Sequence, residues 1–426
     1  MNLPLRILAR AAVLVAALAC AVPAFADDVS IDVISGTVTK IPVRVLALTP
    51  SGGNDAGTAT QARDVLANDL ETSGALSIVR AWEPMSADAA VQLEVGGTWS
   101  VNGAQVTLAG EVHDWPGRKP VLAKTYRGPL SGWRSLVHQF ADDVVGQLTG
   151  EPGVANTRIA FVVSEGRNKE LWVMDADGAN AHALTHDASI AQLPAWSPDG
   201  SLLLFTSFRG GSGAQVWVVS PDGGKPYLVS GRPGINSGGV YSPDGGSIAC
   251  TLTQDGNSEI YRMDARGGSP QRLTANRAID TSPSWSPTGN AIAFTSDRAG
   301  SPQVHVMDAQ GGNVRRLNYA LDYTDSPAWS PKGDRIAFVT RTGSGFDICV
   351  CRPDGTGTLR VVTGGANENP HWSPDGRHLV FTSDREGSRS LWVSDLDGGA
   401  PRKLDTGGRK ALSPAWSPRS VPAAPR

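Results

Sequence analysis

Over the last two-thirds of the chain, short hydrophobic runs alternate with turn residues, and the whole pattern repeats. An aromatic followed by Ser-Pro stands at Trp196-Ser197-Pro198, Tyr241-Ser242-Pro243, Trp285-Ser286-Pro287, Trp329-Ser330-Pro331, Trp372-Ser373-Pro374 and Trp416-Ser417-Pro418. The step is about 44 residues, the period of a propeller blade. Nine residues after each of the first five aromatics comes Phe205, Cys250, Phe294, Phe338 or Phe381, closing a β-rich run. About 20 residues after the aromatic comes a second run, such as Val216-Trp217-Val218 or Leu391-Trp392-Val393.

Turn chemistry divides one period into four strands. Pro removes a ladder donor and Gly supplies a positive φ, so Ser-Pro-Asp-Gly is a tight turn after the first strand. A Gly-containing loop such as Ser296-Asp297-Arg298-Ala299-Gly300 follows the second strand, and Asp308-Ala309-Gln310-Gly311 ends the third. Gln271-Arg272-Leu273-Thr274 exemplifies the short fourth. Four strands make one blade. The first repeat begins at Arg158-Ile159-Ala160-Phe161 without a preceding Trp-Ser-Pro, and the last holds only the strand ending at Trp416. Together they complete one blade, predicting an all-β six-bladed propeller over 153–420 closed by strands from both ends. Closure removes the exposed sheet edges that endanger β proteins.

Residues 27–152 lack the repeat and predict a smaller α/β domain. Pro42–Leu48 and Leu76–Val79 are predicted strands flanking a helix over Gln61–Ser73, which Gly74 stops. Val91–Val101 and Gln105–Val112 predict a hairpin turning on Asn102-Gly103. Trp133, Leu136, Val137, Phe140, Val144 and Leu148 stripe one face of a second helix. Residues 421–426 are expected to be a disordered tail.

Residues 1–26 have the pattern of a secretory signal: Arg6 and Arg10, an apolar run, and Ala24-Phe25-Ala26 as the cleavage site. Ala17 weakens a lipoprotein reading at Cys20. With a net charge of −3, the composition gives no electrostatic case for nucleic acid or an anionic membrane. Three cysteines would remain after cleavage; Cys250 and Cys349 take positions that other blades give to Phe or Trp, as core residues do.

Few residues suggest chemistry. His182 and His186 sit in strand and turn sequence rather than on a helix face that would ligate zinc. Asp175-x-Asp177-Gly178 and Asp395-x-Asp397-Gly398 lack the distal Glu of a calcium loop. Asp297-Arg298 and Asp384-Arg385 read as turn structure. No Gly-x-Ser-x-Gly elbow is present for a serine-peptidase domain. Neither cofactor nor metal is expected. The alternatives are a propeller module of a serine-peptidase-like protein and carbohydrate binding at the rim, which Asn, Asp and Trp would serve.

Ala-Trp-Ser-Pro-Asp-Gly, followed by Ile-Ala-Phe-Thr-Ser and a Val-Met-Asp turn, resembles the PD40, WD40-like propeller repeat. The wider order resembles the TolB family: a signal, Val29-Ser30-Ile31-Asp32-Val33-Ile34, an α/β domain, Thr157-Arg158-Ile159-Ala160-Phe161, six repeats and a terminal Pro414-Ala415-Trp416. The resemblance implies a non-catalytic, monomeric periplasmic protein. It would bind the peptidoglycan-associated lipoprotein Pal at one end of the channel and offer its mature N-terminus to the inner-membrane protein TolA, supporting outer-membrane integrity and cell division without inserting in a membrane. The matching rim positions are the loops before each innermost strand: Ile235, Asn236, Ser237 and Gly238; Asp280, Thr281 and Ser282; Asp325 and Ser326; Asn367, Glu368 and Asn369. The chain departs from the family at Ile235, where members can carry His. The TolA segment would be Asp27, Asp28, Val29, Ser30, Ile31, Asp32 and Val33, whose apolar and polar residues alternate as in a half-buried strand.

Overall fold

The computed structural model describes residues 32–33, 40–51, 56–83, 91–211, 213–343, 345–396 and 399–419. The signal segment, Asp27–Ile31 and the tail lie outside the described residues.

Strand β1 (Asp32–Val33) precedes the first domain, which is built from β2 (Ile41–Pro50), α1 (Ala56–Thr72), β3 (Leu76–Arg80), β4 (Leu93–Asn102), β5 (Gln105–Asp114), β6 (Pro120–Pro129) and α2 (Trp133–Thr149). The sheet order is β3-β2-β4-β5-β6, with β2 parallel to β3 and β4. Both helices pack on it, burying Leu66 and Leu70 of α1 and Val137, Phe140 and Val144 of α2 against Val43, Val95 and Leu108. Helix α1 starts at Ala56, five residues ahead of the predicted Gln61. Asn102 pairs with Gln105, so the hairpin turns on Gly103-Ala104, Gly103 having φ 61°.

Six four-stranded blades follow, each antiparallel and running outward from the axis. Their innermost strands are Ala411–Trp416 for blade 1, then Ala191–Trp196, Asn236–Tyr241, Asp280–Trp285, Thr324–Trp329 and Asn367–Trp372 for blades 2 to 6. Blade 1 joins the two ends: Ala411–Trp416 pairs with Arg158–Glu165, setting Trp416 opposite Ile159 and Ala411 opposite Val163. The ring is therefore closed as the repeat pattern predicts.

The core lies between blades. Ala160, Leu171 and Val173 of blade 1 pack with Trp196, Leu203 and Phe205 of blade 2, and each later junction repeats the scheme. Within each blade one pair crosses the second and third strands: Phe161–Trp172, Phe205–Trp217, Cys250–Tyr261, Phe294–His305, Phe338–Cys349 and Phe381–Trp392. Each cysteine of these pairs faces an aromatic. Cys250, Cys349 and Cys351 are free and buried, and burial pushes the Cys250 and Cys351 thiols up to about 12.

Candidate functional site

The innermost strands share a backbone irregularity that shapes the channel mouth. In all six the ladder slips between the second and fifth residues. The third residue is left-handed each time: Leu193 (φ 54°), Gly238 (63°), Ser282 (53°), Ser326 (52°), Asn369 (53°) and Ser413 (48°). Only blade 3 uses Gly, so five blades hold an L-residue where its Cβ is disfavoured, at about 1–3 kcal/mol each. Five of the next residues are Pro (194, 283, 327, 370 and 414), which has no N–H to leave unpaired at the slip. Neighbouring blades support the bulge. Thr206 Oγ1 accepts the Gly238 N–H at 3.1 Å, Thr295 Oγ1 that of Ser326 at 3.2 Å, and Thr382 Oγ1 that of Ser413 at 3.0 Å.

This ring lines an open funnel of about 380 Å³. Ile235, Ser237, Gly238, Thr281, Ser282, Ser326 and Asn369 all contribute to its wall, together with Leu193 and Ser413. At the other end of the channel, the Trp-Ser-Pro turns enclose a second space of about 360 Å³. Ala195, Val240, Pro283, Pro327, Pro370 and His371 border both and form the waist. His371 Nδ1 lies 3.2 Å from the Trp416 amide nitrogen and 3.1 Å from the Trp372 carbonyl oxygen, and burial holds the ring's pKa below the usual imidazole range.

The rim is chemically lopsided. Ile235 and Ile279 are 50% and 53% exposed on blades 3 and 4, and Phe208 of blade 2 is 37% exposed. On blade 6, Arg389 clamps both oxygens of Glu368 at 2.7 and 2.9 Å. On blade 5, Asp325 accepts from Thr295 at 2.8 Å and from Tyr323 at 3.2 Å; burial and that carboxylate push the Tyr323 phenol up to about 12.

Two expectations need correction. The rim residues other than Ile235 belong to the innermost strands or, as Asp280 and Asn367 do, begin them; they do not form loops ahead of them. Asn236, Asp280 and Asn367 are fully buried and hydrogen-bonded within the propeller, Asn236 to Ser230 of blade 2 and Asp280 and Asn367 each to an arginine of its own blade. Asn236 Oδ1 accepts from Ser230 at 2.7 Å, Asp280 from Arg298 at 2.9 Å, and Asn367 from Arg385 at 2.9 Å. These short polar groups are taken up by hydrogen bonds within the propeller, Asn236 also donating to the Arg232 carbonyl and Asn367 to that of Phe346. The Asp-Arg turns are part of this device: Asp297 and Asp384 accept the Ile279 and Ala366 N–H groups, while Arg298 and Arg385 reach the first strand residue. The signal overlooked in the sequence is the x-Pro two residues before five of the six aromatics, which marks the left-handed ring.

The first domain sits at the opposite end from this mouth. Lys332, in a Trp-Ser-Pro turn, bonds Glu151 at 2.8 Å, and Arg134 of α2 pairs with Asp177 of blade 1. Beside that pair, Asp69 Oδ2 lies 2.6 Å from His138 Nδ1. Asp69, His138 and Asp177 bring their donor atoms within 4.8 Å, a spacing that suits a cation, and the Arg134 guanidinium supplies the positive charge at Asp177. The Asp69 carboxylate holds the His138 pKa above the usual range, against the burial that would lower it. His182 and His186 are exposed, and Asp395 accepts from His378 at 2.7 Å.

Among the described residues no helix is long and apolar enough to cross a membrane. A family model described as the TolB beta propeller domain matches residues 145–420, and one described as the TolB amino-terminal domain matches residues 29–123. The protein TolB homolog of Chlorobium chlorochromatii is 45% identical over 118 residues, 28% of this chain and 27% of that one. The Tol-Pal system protein TolB of Anaeromyxobacter dehalogenans is 37% identical over 221 residues, 47% of this chain and 51% of that one. The matched stretches thus span about half, or less, of these curated relatives. The crystal structure of TolB from Acinetobacter baumannii shares the fold at a TM-score of 0.80 and 24% identity, covering 91% of this chain and 99% of that one.

Proposed function

The chain belongs to the TolB family, and from that membership we propose that it is a non-catalytic, periplasmic binding component of a Tol-Pal system. In this reading the open mouth receives a Pal-type lipoprotein, and residues 27–33 are taken by a TolA-type inner-membrane protein. The two attachments would link outer membrane and inner membrane and so support envelope integrity and division. The observation that carries the reading is the uncovered funnel, ringed by six left-handed residues and edged by Ile235 and Ile279. Strained backbone concentrates at functional sites, and a concave, mostly apolar mouth with a few polar groups is the usual form of a binding site. The absence of a Gly-x-Ser-x-Gly elbow supports binding over peptidase chemistry.

Calorimetric titration of the soluble domain of Pal into the chain tests this. Thr281→Arg and Ser237→Arg place a long charged side chain in the funnel without touching an interblade core. Each should weaken binding by at least about tenfold, about 1.4 kcal/mol, with the melting temperature unchanged. Deleting residues 27–33 should abolish TolA capture and spare Pal binding. Wild-type affinity for Pal in the Thr281→Arg/Ser237→Arg double variant would refute the mouth as its site.

A further inference from the structure

Each blade presents a two-residue unit at its outer edge, in the same register against the third strand. The six units are His182-Ala183, Tyr227-Leu228, Gln271-Arg272, Arg315-Arg316, Leu359-Arg360 and Arg402-Lys403. Polar and basic side chains on an edge discourage the addition of another strand. Blade 2 alone among these units carries two large apolar residues, and Tyr227 and Leu228 are 48% and 47% exposed. A second feature separates blade 2 from most of the ring. Its outer strand, Tyr227–Ser230, is four residues long, as is Leu359–Val362 of blade 5; the other outer strands described have two.

In blade 5 this longer edge is already taken. Strand β1 adds to it in parallel, with Asp32 opposite Leu359 and Val33 opposite Arg360. Tyr227 and Leu228 are the register equivalents of those two partners, and both outer strands carry a slip next to the unit. The blade 2 edge is thus the same receptor with a more apolar surface and no strand on it among the described residues.

We propose that the outer edge of blade 2 is a second strand-docking site and that its occupant is the Asp28–Val33 segment of a second copy of this chain. The segment's last two residues, Asp32 and Val33, are the ones the structure seats on the equivalent edge. Its Val29, Ile31 and Val33 alternate with Asp28, Ser30 and Asp32, which matches an apolar edge approached by Lys225 two residues before Tyr227. The strand reaches blade 2 from another molecule rather than its own. Residues 34–39 span at most about 20 Å, and Lys40 lies near Asp395 of blade 6, so blade 1 stands between. Mutual exchange of the segments gives a closed two-fold pair. Because the proposed TolA attachment uses the same residues, the two associations exclude each other.

Sedimentation equilibrium of the chain beginning at Asp27, from micromolar to millimolar concentration, tests the proposal. The mean mass should climb from monomer toward dimer. Tyr227→Arg/Leu228→Arg, which installs the pair blade 4 carries in this register, should remain monomeric, as should a chain beginning at Ser35. A constant monomer mass overturns the proposal, as does association that either change leaves intact. As a check independent of the double variant's folding, Val33→Cys chains are mixed with Leu228→Cys chains under oxidation. The native cysteines are buried, so a covalent heterodimer reports the edge. Its absence, while Val33→Cys/Arg360→Cys closes within one chain, also overturns the proposal.

Discussion

Replacing Trp416 by Ala probes ring closure, on which the geometry of the mouth depends. The indole is 3% exposed and packs among Ile159, Phe161, Val380 and Leu391, joining the last strand to blades 1 and 6. Its Nε1 donates to Thr157 Oγ1 at 2.7 Å, and the His378 ring stacks on it at 6.1 Å. Deleting a buried Trp costs about 3–5 kcal/mol, and the lost hydrogen bond adds about 1 kcal/mol. Trp329 is the internal control, since it holds the same place in blade 5 but is partly exposed, and its Nε1 has no hydrogen-bond partner among the described residues. Its replacement by Ala should cost about 2 kcal/mol from lost apolar burial. At about 2–4 °C per kcal/mol for a unit of this size, Trp416→Ala should melt roughly 8–24 °C early and Trp329→Ala roughly 4–8 °C early by scanning calorimetry. Equal shifts, or a smaller one for Trp416, would refute the argument that the terminal strand closes the ring.

His371 gives a pH dependence with a definite sign. Its folded pKa is depressed by burial, so the stability it permits is present above the unfolded value of about 6.5 and is lost as pH falls below that. The wild-type melting temperature should therefore drop between neutral and mildly acidic pH more than that of His371→Gln; parallel profiles would count against it. Arg134→Met leaves Asp177 without its cation at the junction of the two domains, which should cost about 2–3 kcal/mol. Calorimetry should then resolve separate transitions for the first domain and the propeller, and a single unshifted transition would show that the pair does not couple them. Asn236→Ala removes the side chain that ties Ser230 and Arg232 to blade 3, so it should lower stability by about 1–3 kcal/mol while leaving Pal affinity of the folded protein near wild type.

The propeller was legible because its signals are local and periodic. Trp-Ser-Pro-x-Gly sets a turn wherever it occurs, and the missing first strand at Arg158 matches the surplus strand at Ala411. The first domain was read less completely. Strand β6, Pro120–Pro129, was missed because it is an edge strand with largely exposed residues, and thus lacks a clear hydrophobic alternation. The start of α1 was obscured by Gly57, Thr58 and Thr60, weak helix formers near its N-terminus. At the mouth, Asn236, Asp280 and Asn367 carry turn-forming chemistry and were read as loop residues facing a partner. Their type is the same whether a short polar group serves a partner or a strand's first backbone bonds, so composition could not separate the two. The left-handed residues leave little trace in their own identity, since Leu193, Ser282 and Asn369 share a conformation and not a chemistry; the Pro that follows five of the six is the mark they leave.

The central claim, that the open mouth is where a Pal-type lipoprotein sits, is tested most directly by site-specific photo-crosslinking. The reactive residue p-benzoylphenylalanine replaces Ile235 or Ile279, both half-exposed on the mouth, or Asp199, exposed in a Trp-Ser-Pro turn at the other end. The account predicts covalent adducts with Pal from positions 235 and 279 and none from 199. Adducts from 199 with none at the mouth would contradict it.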